Sequence, residues 1–295
     1  MSPEETRASI ARRQPFELRP APGRVIRGDV RSPASGAWVS RRAVVVCHGF
    51  KGFKDWGFFP YLCNRLAIDT GATVVSFNFS GSGVGPDLEN FTDLDVFSRN
   101  TFSWEIEDLE LILNGLQGGR LGDVVIDPPA CVGLIGHSRG AAAAILVGSG
   151  RPEVSGIVTW GGISSVFRYE SWFADQLGDG DLMHVTNART GQELPIRRDV
   201  LTDMRTNRSR LDMLAAAGRL QVPLLIVHGS EDEAVPVSEA SRLGKAATSA
   251  RVKVIEGASH TMDASHPFPG TNSKLEQAVN LTSDHFRQTF ALEGV

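Results

Sequence analysis

The chain has 295 residues, of which 41% are hydrophobic and 22% are charged, as is usual for a soluble globular protein. This length is enough to bury a sizeable core, and a formal net charge of −4 argues against a nucleic-acid partner. Three cysteines are too few for a disulfide framework, and no metal-ligand spacing is present. We also find no secretory signal and no apolar run near the roughly 20 residues that span a bilayer. The expectation is a cytoplasmic protein without membrane insertion.

The first part of the chain predicts a short tail followed by alternating strands and helices. Residues 1–14 are charged and are expected to be loose, and "PFELRP" and "RVIRGDVRSP" then read as two strands separated by turn residues. "RAVVVCHGF" and "TVVSFNF" are continuous apolar runs typical of strands buried on both faces. A helix is predicted between them, around residues 60–69, and a helical apolar stripe follows from Phe102 to Leu116.

The second part continues the alternation and predicts a mostly parallel sheet. "ACVGLIG", "SGIVTWGG", "VPLLIVHGS" and "RVKVIEG" are the predicted strands, with helices after the first and third of them. A final helix carries a regular apolar stripe, and Ser273 with Glu276 predicts a capping box at its start. This order favours an eight-stranded sheet in one domain, residues 15–295, with helices on both faces. Active residues then cluster at the carboxyl ends of the strands.

Residues 163–215 interrupt this pattern because they contain no buried strand. "HVTNARTGQELPI" predicts a hairpin that turns at Thr190-Gly191, and "RSRLDMLAAAG" predicts a short helix. A connection this long is rarely structureless in a compact domain and is often functional. We therefore interpret residues 163–215 as an inserted cap after the sixth strand.

"GHSRG" at residues 136–140 is a G-x-S-x-G sequence placed between a predicted strand and a predicted helix. A sharp strand-to-helix turn exposes the serine at its apex, which is where a nucleophile is needed. The helix that follows offers free N–H groups, so the amide of Arg139 is a candidate oxyanion donor. A glycine-rich turn with an incidental serine is the alternative, and the flanking elements favour Ser138 as a nucleophile.

A nucleophilic serine needs a base and an acid that orients the base. His260 lies in a small-residue loop after the last predicted strand, whereas His48 and His228 end buried strands and His137 adjoins the serine on a tight turn. Glu231, Asp232 and Glu233 all follow the penultimate strand. The chain order serine, acid, histidine is that of nucleophile-elbow hydrolases.

With "CHGF" (47–50), "GHSRG" (136–140), "HGSEDEAVP" (228–236) and "GASHT" (257–261), the sequence resembles the α/β-hydrolase superfamily over about residues 40–290. Within it, the chain is most similar to bacterial dienelactone-hydrolase-like and cinnamoyl (feruloyl) esterase-like serine hydrolases. The resemblance implies that Asp232 is the acid and that Phe50 supplies a second oxyanion amide. The catalytic residues would then be Ser138, Asp232 and His260, with Phe50 and Arg139 as the oxyanion hole.

Aromatic residues on both sides of the predicted site suggest a substrate pocket. The candidate lining residues are Phe53, Trp56, Phe58, Phe59, His137, Phe167, Trp172 and Phe173. Some of them are alternatively expected to pack the cap onto the core. Lys51, Lys54 and Asp55 are interpreted as a local ion network, and "FSGSGVGP" (79–86) as a turn because it lacks the G-x-G-x-x-G spacing of a dinucleotide site.

The sequence therefore predicts a serine hydrolase of the carboxylesterase type, with a small-molecule ester as its partner and no cofactor or metal. A small serine peptidase, a thioesterase and an acyltransferase would use the same triad. A ligand-binding protein that kept the fold without turnover is the non-enzymatic alternative. Both a monomer and a homodimer agree with the sequence.

Overall fold

The computed structural model describes residues 12–33 and 40–294. Its strands, in chain order, are β1 (Arg13–Ala21), β2 (Arg24–Arg31), β3 (Arg42–Cys47), β4 (Thr73–Asn78), β5 (Arg120–Leu121), β6 (Val124–Val125), β7 (Cys131–His137), β8 (Val154–Trp160), β9 (Leu182–Thr186), β10 (Glu193–Arg197), β11 (Leu224–Gly229) and β12 (Ala250–Ile255). Its helices are α1 (Phe59–Thr70), α2 (Leu94–Ser98), α3 (Phe102–Gln117), α4 (Gly140–Gly148), α5 (Glu170–Leu177), α6 (Asp199–Thr206), α7 (Met213–Arg219), α8 (Ser238–Ala246) and α9 (Ser273–Leu292), with a 3₁₀ turn at Val166–Tyr169. None of the helices in the described ranges is long and apolar enough to cross a membrane.

The main sheet has eight strands in the order β1-β2-β4-β3-β7-β8-β11-β12. Strands β1 and β2 pair antiparallel to each other, and β2 pairs antiparallel to β4. The pairings from β4 through β3, β7, β8 and β11 to β12 are all parallel. Strand β1 begins at Arg13, so residues 13 and 14 are strand rather than the predicted tail, and residues 1–11 lie outside the described part of the chain.

Alternate side chains of the central strands enter two apolar cores, one on each face of the sheet. On β3, Val45 belongs to the core that also contains side chains of helices α3, α4 and α8, whereas Val44 and Val46 belong to the core that contains side chains of α1 and α9. Both sets of valines are almost completely buried. Helices on both faces explain why the central strands are continuously apolar, because neither face of the sheet contacts water.

The order in which strands are added to the sheet reverses direction at β3, and this switch point locates the candidate site. Strand β4 lies on one side of β3, and the next strand of the main sheet, β7, lies on the other. The loops after β3 and β7 therefore leave in different directions and open a crevice at the carboxyl edge of the sheet. That crevice is bordered by Gly49 and Phe50 after β3 and by Ser138 after β7.

Residues 163–215 follow β8, the sixth strand of the main sheet, and form elements of their own. Strands β9 and β10 pair as the hairpin expected from the sequence, and Gly191 in its turn has a positive φ of 70°. The expected short helix is α7, but the structure also contains the 3₁₀ turn, α5 and α6 in this segment. The segment has its own buried side chains, such as Met183, Leu194 and Met204, which continue into the core on the α3 and α4 face.

Candidate active site

Ser138 lies at the apex of the turn that joins β7 to α4. Its φ is 56°, in the left-handed region that non-glycine residues rarely occupy. The backbone is held there from both sides, since Ser138 N–H donates to the Trp160 carbonyl on β8 at 2.9 Å and the Ser138 carbonyl accepts from Ala141 at 3.2 Å. Strained backbone of this kind persists only where the surrounding structure enforces it, and it is concentrated at functional sites.

The glycines at both ends of "GHSRG" allow this turn to form. A Cβ atom on Gly136 would lie 2.4 Å from the Gly140 carbonyl oxygen. A Cβ on Gly140 would lie 2.5 Å from the Cys47 carbonyl oxygen at the end of β3. Neither backbone contact could be relieved by rotating a side chain, so the close packing of helix α4 on β3 and β7 requires glycine at both positions.

Asp232 and His260 are joined by a short hydrogen bond beside this turn. His260 Nδ1 donates to Asp232 Oδ2 at 2.7 Å. Asp232 Oδ1 accepts the backbone N–H groups of Ala234 at 3.0 Å and Val235 at 2.7 Å, and His228 Nε2 is 3.3 Å from Asp232 Oδ2. Burial opposes ionisation of Asp232, but hydrogen bonds from His228 and His260 outweigh it and lower the pKa of Asp232. The carboxylate is therefore ionised and fixed.

His260 and Ser138 face each other across one cavity of about 330 Å³, whose lining contains both residues. Ser138 Oγ has no hydrogen-bond partner among the residues that the structure describes. Hydrogen bonds of this kind are often looser in an unliganded site than in the reacting complex. In the neutral tautomer that donates from Nδ1 to Asp232, Nε2 is the nitrogen that can accept a proton.

The other histidines close to the turn have structural partners. His48 Nδ1 donates to the Gly49 carbonyl at 2.8 Å, while its Nε2 accepts the Phe79 N–H at 3.2 Å. His137 Nε2 donates to the His260 carbonyl at 3.1 Å. Burial lowers the pKa of His48 to about 4 and that of His137 to about 3, so both are neutral at physiological pH. Among the described residues, no cluster of three or more His, Cys, Asp or Glu is arranged to hold a metal ion.

Two backbone N–H groups beside Ser138 are unpaired. Within residues 12–33 and 40–294, the amides of Phe50 and Arg139 have no hydrogen-bond acceptor. The Arg139 side chain points away from the cavity, because its Nε lies 2.9 Å from Glu105 Oε1 on α3 and its guanidinium stacks 3.9 Å from the centre of the Phe102 ring. This buried ion pair leaves the Arg139 amide, and not the guanidinium, beside the serine.

A second and larger cavity of about 610 Å³ also reaches Ser138. Its wall contains Phe50, Tyr169, Trp172 and Phe173, together with the β9 residues His184–Thr186. The smaller cavity has Trp56, Phe59 and His137 in its wall, with Asn187 and Ala188 from the hairpin turn. Ser138, Phe50 and Lys51 belong to both walls, so the two cavities adjoin at the serine.

Five of the candidate pocket residues line these cavities, and three do not. Trp56, Phe59 and His137 line the smaller cavity, whereas Trp172 and Phe173 line the larger one. Phe53 and Phe58 are buried in the two cores, and Phe58 packs on Trp160. Phe167 packs on the core below α5 with the Arg208 guanidinium over its ring. The expectation that these three residues form the pocket wall is wrong, because each ring packs against other side chains outside the lining of the two cavities.

The sequence suggested that Lys51 forms an ion network with Lys54 and Asp55. Among the described residues, Lys51 has no ion pair, so it is not part of that network. Lys54 and Asp55 do pair, and Lys54 Nζ also lies 2.5 Å from Asp29. Lys51 instead donates to the Thr186 carbonyl on β9 at 3.1 Å.

Sequence reasoning did not identify the contribution of the hairpin to the site. Tyr169 and the residues from His184 to Ala188 line the cavities, yet in the sequence they are separated from Ser138 by more than 30 positions. The one available signal was the predicted hairpin in an insertion whose ends are anchored at the carboxyl edge of the sheet.

The fold and the serine turn define the class of this protein. The alpha/beta hydrolase family model matches residues 44–271, and the chain belongs to this family. Among solved structures, it is similar to Est1E from Butyrivibrio proteoclasticus, with 14% identity, a TM-score of 0.69 and coverage of 94% of this chain and 99% of that one. A structure of Est1E with ferulic acid bound is similar at 15% identity and a TM-score of 0.68, covering 94% and 98% of the two chains.

The esterase domain of a Rhodothermus marinus protein is similar at 19% identity and a TM-score of 0.62, with 94% of this chain and 98% of that chain covered. At sequence identities this low, the similarity to these structures shows a shared fold and nothing more. No curated protein sequence matches the chain significantly.

Proposed function

We propose that this hydrolase cleaves carboxylic esters through an acyl-enzyme intermediate on Ser138, His260 and Asp232. The observation that carries the proposal is the strained Ser138 turn facing His260, whose ring is held by the buried Asp232 carboxylate. The similarity in fold to Est1E and to other esterases supports this reading of the site.

The proposed reaction begins when Ser138 Oγ attacks the ester carbonyl carbon and its proton passes to His260 Nε2. The oxygen that becomes negative is placed at the unpaired amides of Phe50 and Arg139, which stabilise it by hydrogen bonding. His260 then returns the proton to the leaving alcohol oxygen. A water molecule, deprotonated by His260 Nε2, then attacks the acyl carbonyl carbon, and His260 returns this proton to Ser138 Oγ as the bond from the acyl group to Ser138 breaks and the acid leaves. Asp232 holds a proton of His260 on Nδ1 throughout, so that Nε2 is the nitrogen that accepts and returns the transferred proton.

The two cavities provide separate places for the two halves of an ester. His260 gives its proton to the leaving alcohol, so we place the alcohol in the smaller cavity, which His260 lines. The acyl group then occupies the larger cavity, whose wall is mostly aromatic and aliphatic. Residues 163–215 act as a cap in this arrangement, because they contribute Tyr169, Trp172 and the hairpin to the walls. A flat aromatic acyl group, such as the ferulic acid bound to Est1E, suits a wall of this composition.

Steady-state hydrolysis of a panel of chromogenic esters tests this function. The wild-type protein is expected to hydrolyse them, and Ser138→Ala is expected to lower kcat by on the order of 10⁶. Matched amide and thioester substrates on the same preparation identify a peptidase or a thioesterase, and added alcohol acceptors identify an acyltransferase. Turnover of the amide but not the ester would replace the esterase proposal, and no turnover of any substrate would favour a binding protein.

A further inference from the structure

Lys51 occupies a backbone conformation that its side chain does not favour. Its φ is 57°, so it lies in the left-handed region, directly after the Phe50 amide proposed for the oxyanion hole. The tight turn around it is closed by a hydrogen bond from Gly52 N–H to the Gly49 carbonyl at 3.1 Å. Glycine would adopt this conformation at lower cost. A lysine at this position is therefore expected to be present for its side chain.

Lys51 lies where the two cavities meet. Lys51 is part of both walls, and its ammonium donates to the Thr186 carbonyl at 3.1 Å. An ammonium group has three donors, so this bond leaves others for a ligand. Within the described ranges, no carboxylate lies within 4.0 Å of Lys51 Nζ, in contrast to Lys54 with its two aspartates.

The charge of Lys51 is not balanced by the rest of the site. No aspartate or glutamate of the described chain lines either cavity. Of the other basic groups in the larger wall, Arg139 is held by Glu105, and His184 lies on the exposed side of β9. Partial burial of the ammonium also lowers the pKa of Lys51. A carboxylate from the substrate would supply a charged partner.

We propose that Lys51 is a specificity-determining residue that selects esters whose acyl half carries a second, ionised carboxyl group. The inference rests on the proposed esterase function and adds a substrate class to it. We assign the second carboxyl group to the acyl half because Thr186, whose carbonyl binds the Lys51 ammonium, belongs to the wall of the larger cavity, where the acyl group is placed. The carbonyl that reacts lies at Ser138, and the distal carboxylate pairs with Lys51. A hydrogen bond to a charged group is strong enough for about tenfold discrimination.

The test compares the 1-naphthyl half-ester of glutaric acid with the 1-naphthyl ester of its monoamide, which has the same shape without the charge. We expect wild-type kcat/KM to favour the anionic ester by about tenfold or more at low salt. Lys51→Met keeps most of the side-chain length and is expected to remove this preference. Lys51→Arg should restore a substantial part of it. Lys245→Met, which removes an exposed charge from helix α8, should leave the preference unchanged.

Two results would overturn the proposal: a wild-type protein without preference, or a preference that Lys51→Met leaves intact. The second result would mean that Lys51 only ties the hairpin to the loop after β3. Calorimetric binding of glutaric acid monoamide to Ser138→Ala, with and without Lys51→Met, gives a readout that needs no turnover. Loss of binding in the double variant supports the inference even if no ester is hydrolysed, whereas equal binding or none contradicts it. Failure of the ester panel alone would contradict the proposed function instead.

Discussion

Asp232 differs from its two acidic neighbours by its contacts. Asp232 is buried and accepts hydrogen bonds from His260 and from two backbone amides, whereas Glu231 and Glu233 are exposed. The resemblance of "HGSEDEAVP" to the α/β-hydrolase superfamily predicted the same residue as the acid. Of the three, Asp232 is the one that contacts the histidine loop, through its hydrogen bond with His260 Nδ1.

Asp232→Asn is expected to lower kcat for esters by about 10⁴, because an amide does not enforce the required tautomer of His260. Glu231→Gln and Glu233→Gln serve as matched controls and should retain most of the activity. Steady-state kinetics of the three purified variants measures this. If kcat fell more in Glu233→Gln than in Asp232→Asn, the assignment of Asp232 as the acid would be wrong.

The pH dependence of ester hydrolysis should have one acid limb, because the proposed base must be unprotonated to accept the proton of Ser138. Burial lowers the pKa of His48 to about 4 and of His137 to about 3, so these residues stay neutral above pH 5. The pKa of Asp232 is lowered as well, so the carboxylate remains ionised over the same range. A kcat/KM profile from pH 5 to 8 is expected to rise with pH and then level off. A flat profile would argue against a histidine base.

At the scale of elements, helix α3 fixes the start of helix α4. Glu105 on α3 pairs with Arg139, the first residue after the serine, and Arg139 also stacks on Phe102 of the same helix. Burial raises the pKa of Glu105, and the nearby guanidinium opposes that shift. The contact therefore holds the residue whose amide faces the proposed oxyanion position.

Glu105→Gln leaves the Arg139 guanidinium buried without its countercharge, and breaking such a pair costs about 3–5 kcal/mol. The free energy of unfolding, measured with urea, is expected to fall by an amount of this order. Glu110→Gln is the control, since Glu110 is on the same helix and forms only an exposed pair with Arg210. Equal stability of both variants would show that the buried pair contributes nothing beyond an exposed one.

The helices and strands also differ in how far the sequence predicted them. Hydrophobic periodicity identified the buried strands and the α3 stripe, and turn residues identified the hairpin, because each of these depends on neighbouring residues only. The predicted capping box at Ser273 was wrong: Asn272 caps α9 by accepting the amides of Lys274 and Leu275, and Glu276 instead contacts Arg65 on α1. That outcome depends on the packing of α9 against α1, which no local pattern contains.

At the scale of the whole molecule, the triad candidates could be predicted but the pocket could not. Ser138, Asp232 and His260 each follow a strand of one sheet, so topology alone brings them to one edge. The pocket depends on how the insertion folds back. The aromatic rings of the insertion were expected to pack against Phe53, Trp56, Phe58 and Phe59, whereas Trp172 and Phe173 pack with each other beside the larger cavity.

The larger cavity predicts the selectivity of the enzyme for its acyl group. We expect higher kcat/KM for acetyl to butyryl or cinnamoyl-like esters than for lauroyl or palmitoyl esters, because we expect the aromatic side chains in the cavity wall to limit the length of the acyl chain. Trp172 is 43% exposed, so Trp172→Ala should weaken this preference with little change in Tm. Phe173 is 4% exposed, and Phe173→Ala should lower the free energy of unfolding by about 3–5 kcal/mol. Preference for long chains in the wild-type protein would contradict this assignment.

Covalent labelling with a fluorophosphonate probe is the most direct test of the central claim that Ser138 is an activated nucleophile. Such a probe reacts quickly only with a serine whose proton a neighbouring base removes. We predict one adduct per chain, mapped by mass spectrometry to the peptide that contains Ser138. Labelling should be absent in Ser138→Ala and strongly slowed in a His260→Ala variant. Full labelling of Ser138→Ala, or an adduct on another serine of the wild-type protein, would contradict the account.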